Sequence, residues 1–323
     1  MPSGACSGFV TVKLMAGHLK RSTLIIGSRG SQLALWQANF IARQLNLLDI
    51  ATEIKIIKTT GDHLQTMSLT QAGGKGLFTK EIEEALLAGT IDLAVHSLKD
   101  LPTESPAGLT IAAVPEREDP RDALAGRSLS QLPQGARVGT SSGRRASQLR
   151  VLRPDLQIEP IRGNVDTRLR KLKEGQFDAI VLAAAGLRRL GLSHEIAEVL
   201  SPQQICPAPG QGALAIQTRE NDPAAEMCRP LDHVPTRRSV ACERTVLASL
   251  GGGCQLPLGS FAEMRDECLY LTAVACSLDG TQHLRAEASG PADRPEELGE
   301  AVAADLINRG VAAIFTSPAA VEF

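Results

Sequence analysis

Three consecutive glycines lead directly into a cysteine in the run Gly251-Gly252-Gly253-Cys254. Glycine has no Cβ, so the backbone can adopt positive φ there and a bulky group can approach it closely. A thiol presented in this way can act as a covalent anchor or a nucleophile. The alternative is an ordinary helix end, because the preceding residues have a helical pattern and Pro257 stops its continuation.

A carboxylate beside a lysine follows an apolar strand in the run His96-Ser-Leu-Lys99-Asp100-Leu-Pro102. Asp100 among nearby arginines could stabilise a developing cation and carry a proton between nitrogen-bearing groups. The alternative is a surface Lys–Asp pair, which contributes little. His96 is either a general base or a satisfied structural histidine at the strand end.

The segment from Arg137 to Lys173 is strongly basic. It contains ten lysines and arginines and three acidic residues, although the whole chain carries a net charge of −2. We therefore expect a multiply anionic partner. Nucleic acid is the competing partner, but the near absence of aromatic residues leaves no platform on which bases could stack. Lys171 and Lys173 are interpreted as solvated charges on a helix face.

Two helix starts combine serine with arginine directly after a strand. Arg29 and Ser31 stand at the first, and Ser142, Arg144 and Arg145 stand at the second. Helix N-termini offer unpaired N–H groups to anions, and arginine forks suit carboxylates. Two such starts facing each other predict an anion-lined cleft, although each serine alone could simply cap its helix.

A third junction between strand and helix lies in the same basic segment. Gly163 breaks the strand, and Asn164 is expected to cap the following helix with its side chain. Arg162 would then stand at the end of the strand and Arg168 within the helix.

Composition excludes several classes of protein. Hydrophobic residues make up 43% of the 323 residues, yet aromatic residues only 3%, which is typical of an aliphatic α/β protein. The seven cysteines are scattered without CxxC spacing, which disfavours a zinc site and a disulfide framework and indicates a reducing cytoplasm. No apolar run approaches the ~20 residues of a membrane span, so we expect no membrane partner.

Strands alternate with helices over most of the chain, which predicts an α/β fold with largely parallel sheets. Trp36 falls on the apolar face of the first helix and is interpreted as core rather than as a ligand platform. From about Pro235 the pattern changes to a smaller α+β unit. The predicted division is a disordered extension at 1–21, a discontinuous domain 1 at 22–115 and 211–232, domain 2 at 116–210 and domain 3 at 235–323.

Ordered motifs from residue 24 to about residue 323 resemble the porphobilinogen deaminase (hydroxymethylbilane synthase) family. The motifs are Arg29-Gly-Ser31-Gln-Leu-Ala-Leu-Trp-Gln37, Gly73-Gly-Lys-Gly-Leu-Phe78, His96-Ser-Leu-Lys-Asp-Leu-Pro102, Glu118-Asp-Pro-Arg-Asp-Ala123, Gly139-Thr-Ser-Ser142, Arg162-Gly-Asn-Val-Asp-Thr-Arg168, Pro209-Gly-Gln-Gly-Ala213 and Gly252-Gly-Cys254-Gln255. Gly143 and Gly251 depart from the family pattern, and residues 1–21 have no match.

The resemblance implies two domains like those of a periplasmic binding protein around a cleft, plus the smaller third domain. It implies head-to-tail polymerisation of four porphobilinogen molecules into hydroxymethylbilane, with loss of ammonia, in tetrapyrrole biosynthesis. Cys254 would hold a dipyrromethane cofactor through a thioether, and Asp100 would be the catalytic acid. The resemblance also implies a mobile lid at 61–75 and favours a monomer.

The same resemblance assigns the remaining site residues to binding acidic side chains of pyrroles. The cofactor would be held by Lys99, Ser142, Arg144, Arg145 and Arg168. The substrate would be held by Arg29, Ser31, Arg162 and Arg189. The alternative from another class is a solute-binding protein for an anionic ligand, which would present a similar cleft but needs neither Cys254 nor a third domain.

Overall fold

The computed structural model of the chain describes residues 23–59, 79–252 and 256–316. Its strands, in chain order, are β1 (Leu24–Ser28), β2 (Thr52–Ile56), β3 (Leu93–Ser97), β4 (Leu109–Ala113), β5 (Asp122–Gly126), β6 (Arg137–Gly139), β7 (Gln157–Glu159), β8 (Ala179–Ala183), β9 (Ile196–Val199), β10 (Leu214–Arg219), β11 (Leu258–Arg265), β12 (Cys268–Cys276) and β13 (His283–Pro291). Its α-helices are α1 (Gln32–Asn46), α2 (Lys80–Leu87), α3 (Gly143–Leu152), α4 (Val165–Lys173), α5 (Ala184–Arg189), α6 (Pro223–Cys228), α7 (Val234–Ser249), α8 (Pro295–Asn308) and α9 (Val311–Thr316).

Two five-stranded sheets share one strand order. The first runs β2-β1-β3-β10-β4 and the second runs β7-β6-β8-β5-β9. In each, the first three strands are parallel, and the fourth strand is antiparallel to both of its neighbours. The chain leaves the first sheet after β4 and returns to it at β10. The predicted α/β class is confirmed. Each sheet is largely parallel, as predicted, but also contains one antiparallel strand.

Both sheets are covered by aliphatic side chains. Ile41 and Leu45 of α1 pack on Leu93 and Ile216 of the first sheet. In the second sheet Val138 packs against Leu149 of α3. Burying such a side chain contributes roughly 1.5–3 kcal/mol, and this aliphatic core suits a chain poor in aromatic residues.

The third unit is an antiparallel sheet covered by helices. Strands β11, β12 and β13 form it in that order, and α7 and α8 pack on it through residues such as Val246, Leu271 and Leu306. The predicted smaller α+β unit is therefore confirmed. None of the helices in residues 23–59, 79–252 and 256–316 is long and apolar enough to cross a bilayer.

The prediction for Trp36 was wrong in part. Trp36 is half-buried, because α1 turns Ile41 and Leu45 into the core instead. Its ring stacks on Phe40 with centroids 5.3 Å apart, and the guanidinium of Arg189 lies 5.7 Å from its centroid. Trp36 thus contacts the unit built on the second sheet.

Candidate active site

A short 3-10 turn at the end of β3 presents Lys99 and Asp100. Its first residue, Leu98, is buried, and the Leu98 amide donates to the Ala213 carbonyl at 3.0 Å. The anchored leucine directs the next two residues outward, so Lys99 is half-buried and Asp100 is exposed. This turn therefore brings the predicted acid to the surface of the first unit and leaves its neighbouring lysine half-buried.

Lys99 lies at the junction of the first and second units. Its Nζ donates to Oε1 of Gln211 at 3.4 Å. Burial lowers the pKa of Lys99 to about 8, and the charges of Arg145 and Arg144 act in the same direction against the favourable charges of Asp100 and Asp122. Because burial disfavours the charged form of Lys99, an added anion would stabilise that form.

Asp122, at the start of β5, is a buried carboxylate that binds both arginines of α3. Arg144 Nη1 lies 2.7 Å from Oδ2, and Arg145 donates to Oδ1 through Nε at 2.9 Å and Nη2 at 2.7 Å. Gln211 Nε2 also donates to Oδ1, at 2.9 Å. Burial alone would raise the pKa of Asp122, but the two guanidinium groups outweigh it and hold this pKa well below its usual range.

The two arginines are thus already paired inside the protein. Arg144 Nη1 also donates to the Cys206 carbonyl at 2.7 Å, and Arg145 Nη1 donates to the Val181 carbonyl at 3.2 Å. Any external carboxylate would share these side chains with Asp122. Their predicted contact with a cofactor stays a prediction.

Arg168 extends the group of cations along α4. Its Nε donates to the Gly163 carbonyl at 2.8 Å, and Gly163 has a φ of +108°, where a Cβ would lie 2.7 Å from Thr167 Cγ2. Burial, followed by the charge of Arg145, lowers the pKa of Arg168 to about 10. Arg162 is half-buried beside it. Asn164 is at the N-cap position, but the predicted side-chain cap is wrong, because its side chain makes no capping hydrogen bond.

The basic segment does not converge as a whole. Arg153 pairs with Asp155 at 2.7 Å, Arg170 lies 3.7 Å from Glu174, and Lys173 lies 2.6 Å from Glu195. Each of these cations has an acidic partner nearby, and Lys173, which was predicted to be a solvated charge on a helix face, is exposed. Arg144, Arg145 and Arg168 lie closer together, since, in addition to burial, the charge of Arg144 lowers the pKa of Arg145 and the charge of Arg145 lowers the pKa of Arg168.

Ser31 and Ser142 both cap helices, as the alternative reading of each allowed. Ser31 Oγ accepts from the Ala34 amide at 3.3 Å, and Ser142 Oγ accepts from the Arg145 amide at 3.5 Å. Arg29 is half-buried directly before the first cap. Capping leaves the hydroxyl groups at helix N-termini, where they can still donate to an anion.

Arg189 joins the first two units. Its Nη2 donates to the Gly212 carbonyl at 2.6 Å, while its side chain lies over Trp36. Burial lowers the pKa of Arg189 to about 10, and Glu118 opposes that effect. This arginine is therefore held by protein groups at the junction.

His96 is buried in β3, with Nε2 3.1 Å from Oε1 of Gln217. Burial lowers its pKa to about 4, the hydrogen bond to Gln217 opposes this shift, and the charge of Arg29 reinforces it. Gln217 Nε2 in turn donates to Glu83 at 3.2 Å. A neutral imidazole bound within a polar chain fits the structural interpretation of His96.

Glu243 of α7 was missed by sequence reasoning and secures the third unit. Its carboxylate accepts from Arg117 Nη1 at 2.6 Å and Nη2 at 3.0 Å, from the Gly210 amide at 2.7 Å and from the Ala262 amide at 2.8 Å. Two chain crossings connect the two five-stranded sheets. Arg117 lies on the crossing from β4 to β5, and Gly210 lies on the crossing from β9 back to β10. One buried carboxylate thus ties both crossings to β11.

Cys254 lies outside the described residues, as do the extension at 1–21 and the predicted lid at 61–75. Of the glycines that precede it, Gly251 has a φ of +100°, which only glycine adopts readily, and Gly252 has a φ of +67°, in the left-handed region. A Cβ on Gly252 would lie 3.1 Å from Oγ1 of Thr103. Gly252, two residues before Cys254 in the sequence, therefore lies close to the segment that follows Asp100.

Known proteins resemble this chain over most of its length. The family model for the porphobilinogen deaminase dipyromethane cofactor binding domain matches residues 24–227, and that for the porphobilinogen deaminase C-terminal domain matches residues 238–308. Curated porphobilinogen deaminases from Desulforudis audaxviator and Chromobacterium violaceum are 51% and 49% identical, with each alignment covering 91% of this chain and 97% and 99% of the relative. A periplasmic substrate-binding protein from Coxiella burnetii aligns at 16% identity and a TM-score of 0.41, over 69% of this chain and 97% of its own. The family models and the curated relatives show that this chain belongs to the porphobilinogen deaminase family.

Proposed function

We propose that this protein joins four porphobilinogen molecules head to tail into hydroxymethylbilane and releases ammonia at each addition. Family membership supports this function. The observation that carries it is an exposed carboxylate, Asp100, beside a group of cations that includes Lys99 and Arg145. Every pyrrole of the substrate brings two carboxylates, which the cations can bind. The reaction also develops positive charge, which the carboxylate of Asp100 can stabilise.

The described residues fit a dipyrromethane cofactor held through Cys254. Burial is the largest cause that lowers the pKa of both Lys99 and Arg168, so an acidic cofactor bound beside them would favour their charged forms. Ser142 adds a hydroxyl at the start of α3. When bound, the cofactor supplies a covalent primer to which the growing chain stays attached. Lys99, Arg168 and Ser142 would hold its acidic side chains, with Arg144 and Arg145 shared with Asp122.

Asp100 would act on the substrate. Loss of ammonia from porphobilinogen leaves a cationic species, and the following attack ends with loss of a ring proton. A carboxylate beside the pyrrole nitrogens can stabilise that cation and transfer the protons. Lys99 would position the substrate through a carboxylate, and Arg29, Ser31, Arg162 and Arg189 would bind its other acidic groups.

The proposal also covers the location, the oligomeric state and the domain division of the protein. The protein would work in the cytoplasm as a monomer, in tetrapyrrole biosynthesis. The proposed division is domain 1 at 22–115 and 211–232, domain 2 at 116–210 and domain 3 at 235–323.

The test is to incubate the purified protein with porphobilinogen and to measure substrate, ammonia and product by mass. We expect one ammonia for each porphobilinogen consumed and a linear tetrapyrrole as product. Asp100→Asn should bind substrate and lose several orders of magnitude in turnover, and Asp100→Glu should keep a little activity, because misplacing a group by about 1 Å can cost ~10²-fold. Glu104→Gln is the matched control, since Glu104 is also exposed and lies four residues along the chain.

The same measurement distinguishes this activity from the alternative function, binding of an anionic solute. A solute-binding protein would retain porphobilinogen and return it unchanged, with no ammonia formed. That outcome would overturn the proposed activity. Wild-type single turnover in Asp100→Asn with the cofactor present would instead overturn the role of Asp100 alone.

A further inference from the structure

Arg244 of α7 binds the turn that carries Lys99 and Asp100. Its Nη1 donates to the Leu98 carbonyl at 3.3 Å and to the Leu101 carbonyl at 3.2 Å, and its Nη2 donates to the Pro102 carbonyl at 2.5 Å. These three carbonyls stand on both sides of the two site residues. One guanidinium from the third unit therefore spans the whole turn.

The helix that supplies Arg244 is itself firmly held. Val240, one turn earlier, is buried in a cluster with Leu98 and Leu101 beneath the turn. The adjacent Glu243 is fully buried and binds Arg117 and the Gly210 amide. Packing and ion pairing thus fix α7 against the first unit, so Arg244 is a rigid donor rather than a loose surface side chain.

The position of Asp100 depends on its backbone. Asp100 belongs to the 3-10 turn Leu98–Asp100, and its side chain is exposed. Its location is therefore set by the turn, and the turn is set by the contacts of Leu98 with Ala213 and by the three bonds from Arg244. A planar guanidinium can hold several carbonyls at fixed angles, whereas an ammonium cannot reproduce that fork.

We propose that Arg244 is a positioning residue that fixes the Lys99–Asp100 turn against the third unit. This inference rests on the proposed function, because it assigns Arg244 to placing the carboxylate that acts in that reaction. In this role Arg244 acts through Asp100, by fixing the position of the turn that carries the carboxylate.

The experiment compares Arg244→Met and Arg244→Lys with Arg237→Met. Arg237 is the matched control, because it lies on the same helix and also donates to backbone carbonyls, but those of Ile111 and Ala112 in β4 rather than those of the turn. We expect Arg244→Met to lower kcat by about 10²-fold with a smaller change in KM, at unchanged intact mass of the cofactor-loaded protein. Amide hydrogen exchange should speed up in the peptide over 98–102. Arg244→Lys should lose less, and Arg237→Met should keep the wild-type kcat.

A double variant separates positioning from general stability. If Arg244 acts through Asp100, Arg244→Met should cause no further loss in an Asp100→Asn background. Equal losses in both backgrounds, a wild-type kcat in Arg244→Met, or a loss explained wholly by missing cofactor mass would overturn the inference. Should Arg244→Met not fold, an unchanged kcat in Arg244→Lys with unchanged exchange over 98–102 would overturn it equally. Failure of the wild-type protein to release ammonia would instead refute the proposed function.

Discussion

Arg145 and Asp122 form a buried ion pair in which two nitrogens of the guanidinium, Nε and Nη2, converge on one carboxylate oxygen at 2.9 and 2.7 Å. Arg144 lies on the other oxygen of the same group. The second unit thus pairs a buried acid with two of the arginines that are predicted to bind anions. This acid offsets part of the positive charge and fixes the orientation of both arginines.

Asp122→Asn should destabilise the protein strongly. The substitution leaves two buried guanidinium groups without their anion, and breaking a buried pair in this way costs about 3–5 kcal/mol. The free energy of unfolding in urea measures the loss. Asp155→Asn is the control, because its pair with Arg153 is partly exposed and should be worth about 0–1 kcal/mol. Equal losses in both variants would contradict this account of Asp122.

The same pair predicts a pH dependence. The folded pKa of Asp122 lies below its usual range, so the carboxylate contributes stability above its unfolded pKa of about 3.9 and loses it as pH falls toward the folded value. The difference in unfolding free energy between wild type and Asp122→Asn should therefore stay constant at neutral pH and shrink below about pH 4. A difference that already shrinks near neutrality would show that another group titrates.

Loss of the positive charge on Lys99 should limit activity at alkaline pH. Because its folded pKa is lowered to about 8, the lysine loses its charge as pH rises through that value. The ratio kcat/KM for porphobilinogen, which reports the free enzyme, should fall in the same range. Lys99→Arg keeps its charge, so its profile should stay level to higher pH even if its maximum is lower. An identical alkaline fall in both proteins would assign that limb to another group.

Arg168→Lys should lose roughly 30-fold in kcat/KM, equivalent to about 2 kcal/mol. Arg168 donates Nε to the Gly163 carbonyl, and a guanidinium has two further nitrogens that can bind a carboxylate at the same time, which one ammonium cannot do. Steady-state kinetics of Arg170→Lys provide the control, because Arg170 is exposed on the same helix. Wild-type kinetics in Arg168→Lys would make Arg168 a structural charge only.

The intact mass of the purified protein should exceed its sequence mass by one dipyrromethane, and Cys254→Ser should lack this gain. Burial raises the pKa of Cys206, Cys228 and Cys242 to about 12, so these thiols stay protonated and unreactive. Cys268→Ser, at a half-buried site, should keep the gain. A fully active protein without added mass would refute the covalent assignment.

Short stretches of sequence predicted the helices and strands well, but they did not predict which distant residues pair with one another. Ser31 and Ser142 were recognisable as helix starts, because capping involves residues three apart. The role of Asp122 was not recognisable, since its partners lie more than twenty residues away. Its one local signal is a carboxylate that opens the apolar strand Asp122–Gly126.

The third unit shows the same limit. Glu243 and Arg244 occur in a helix whose pattern predicts no special role for either. Their partners include Arg117 and Pro102, well over a hundred residues earlier in the chain. The one clue is a charged residue within a mostly apolar stretch of the helix, and such a clue identifies a buried ion pair only once the fold is known.

The return of β10 to the first sheet has a consequence for biosynthesis. β10 pairs with both β3 and β4, yet it follows β4 by about a hundred residues. While the ribosome synthesises the intervening unit, β3 and β4 each lack their neighbour and expose unpaired strand edges. The second unit can therefore finish folding before the first, and the nascent chain is most vulnerable to aggregation until residue 219 has emerged.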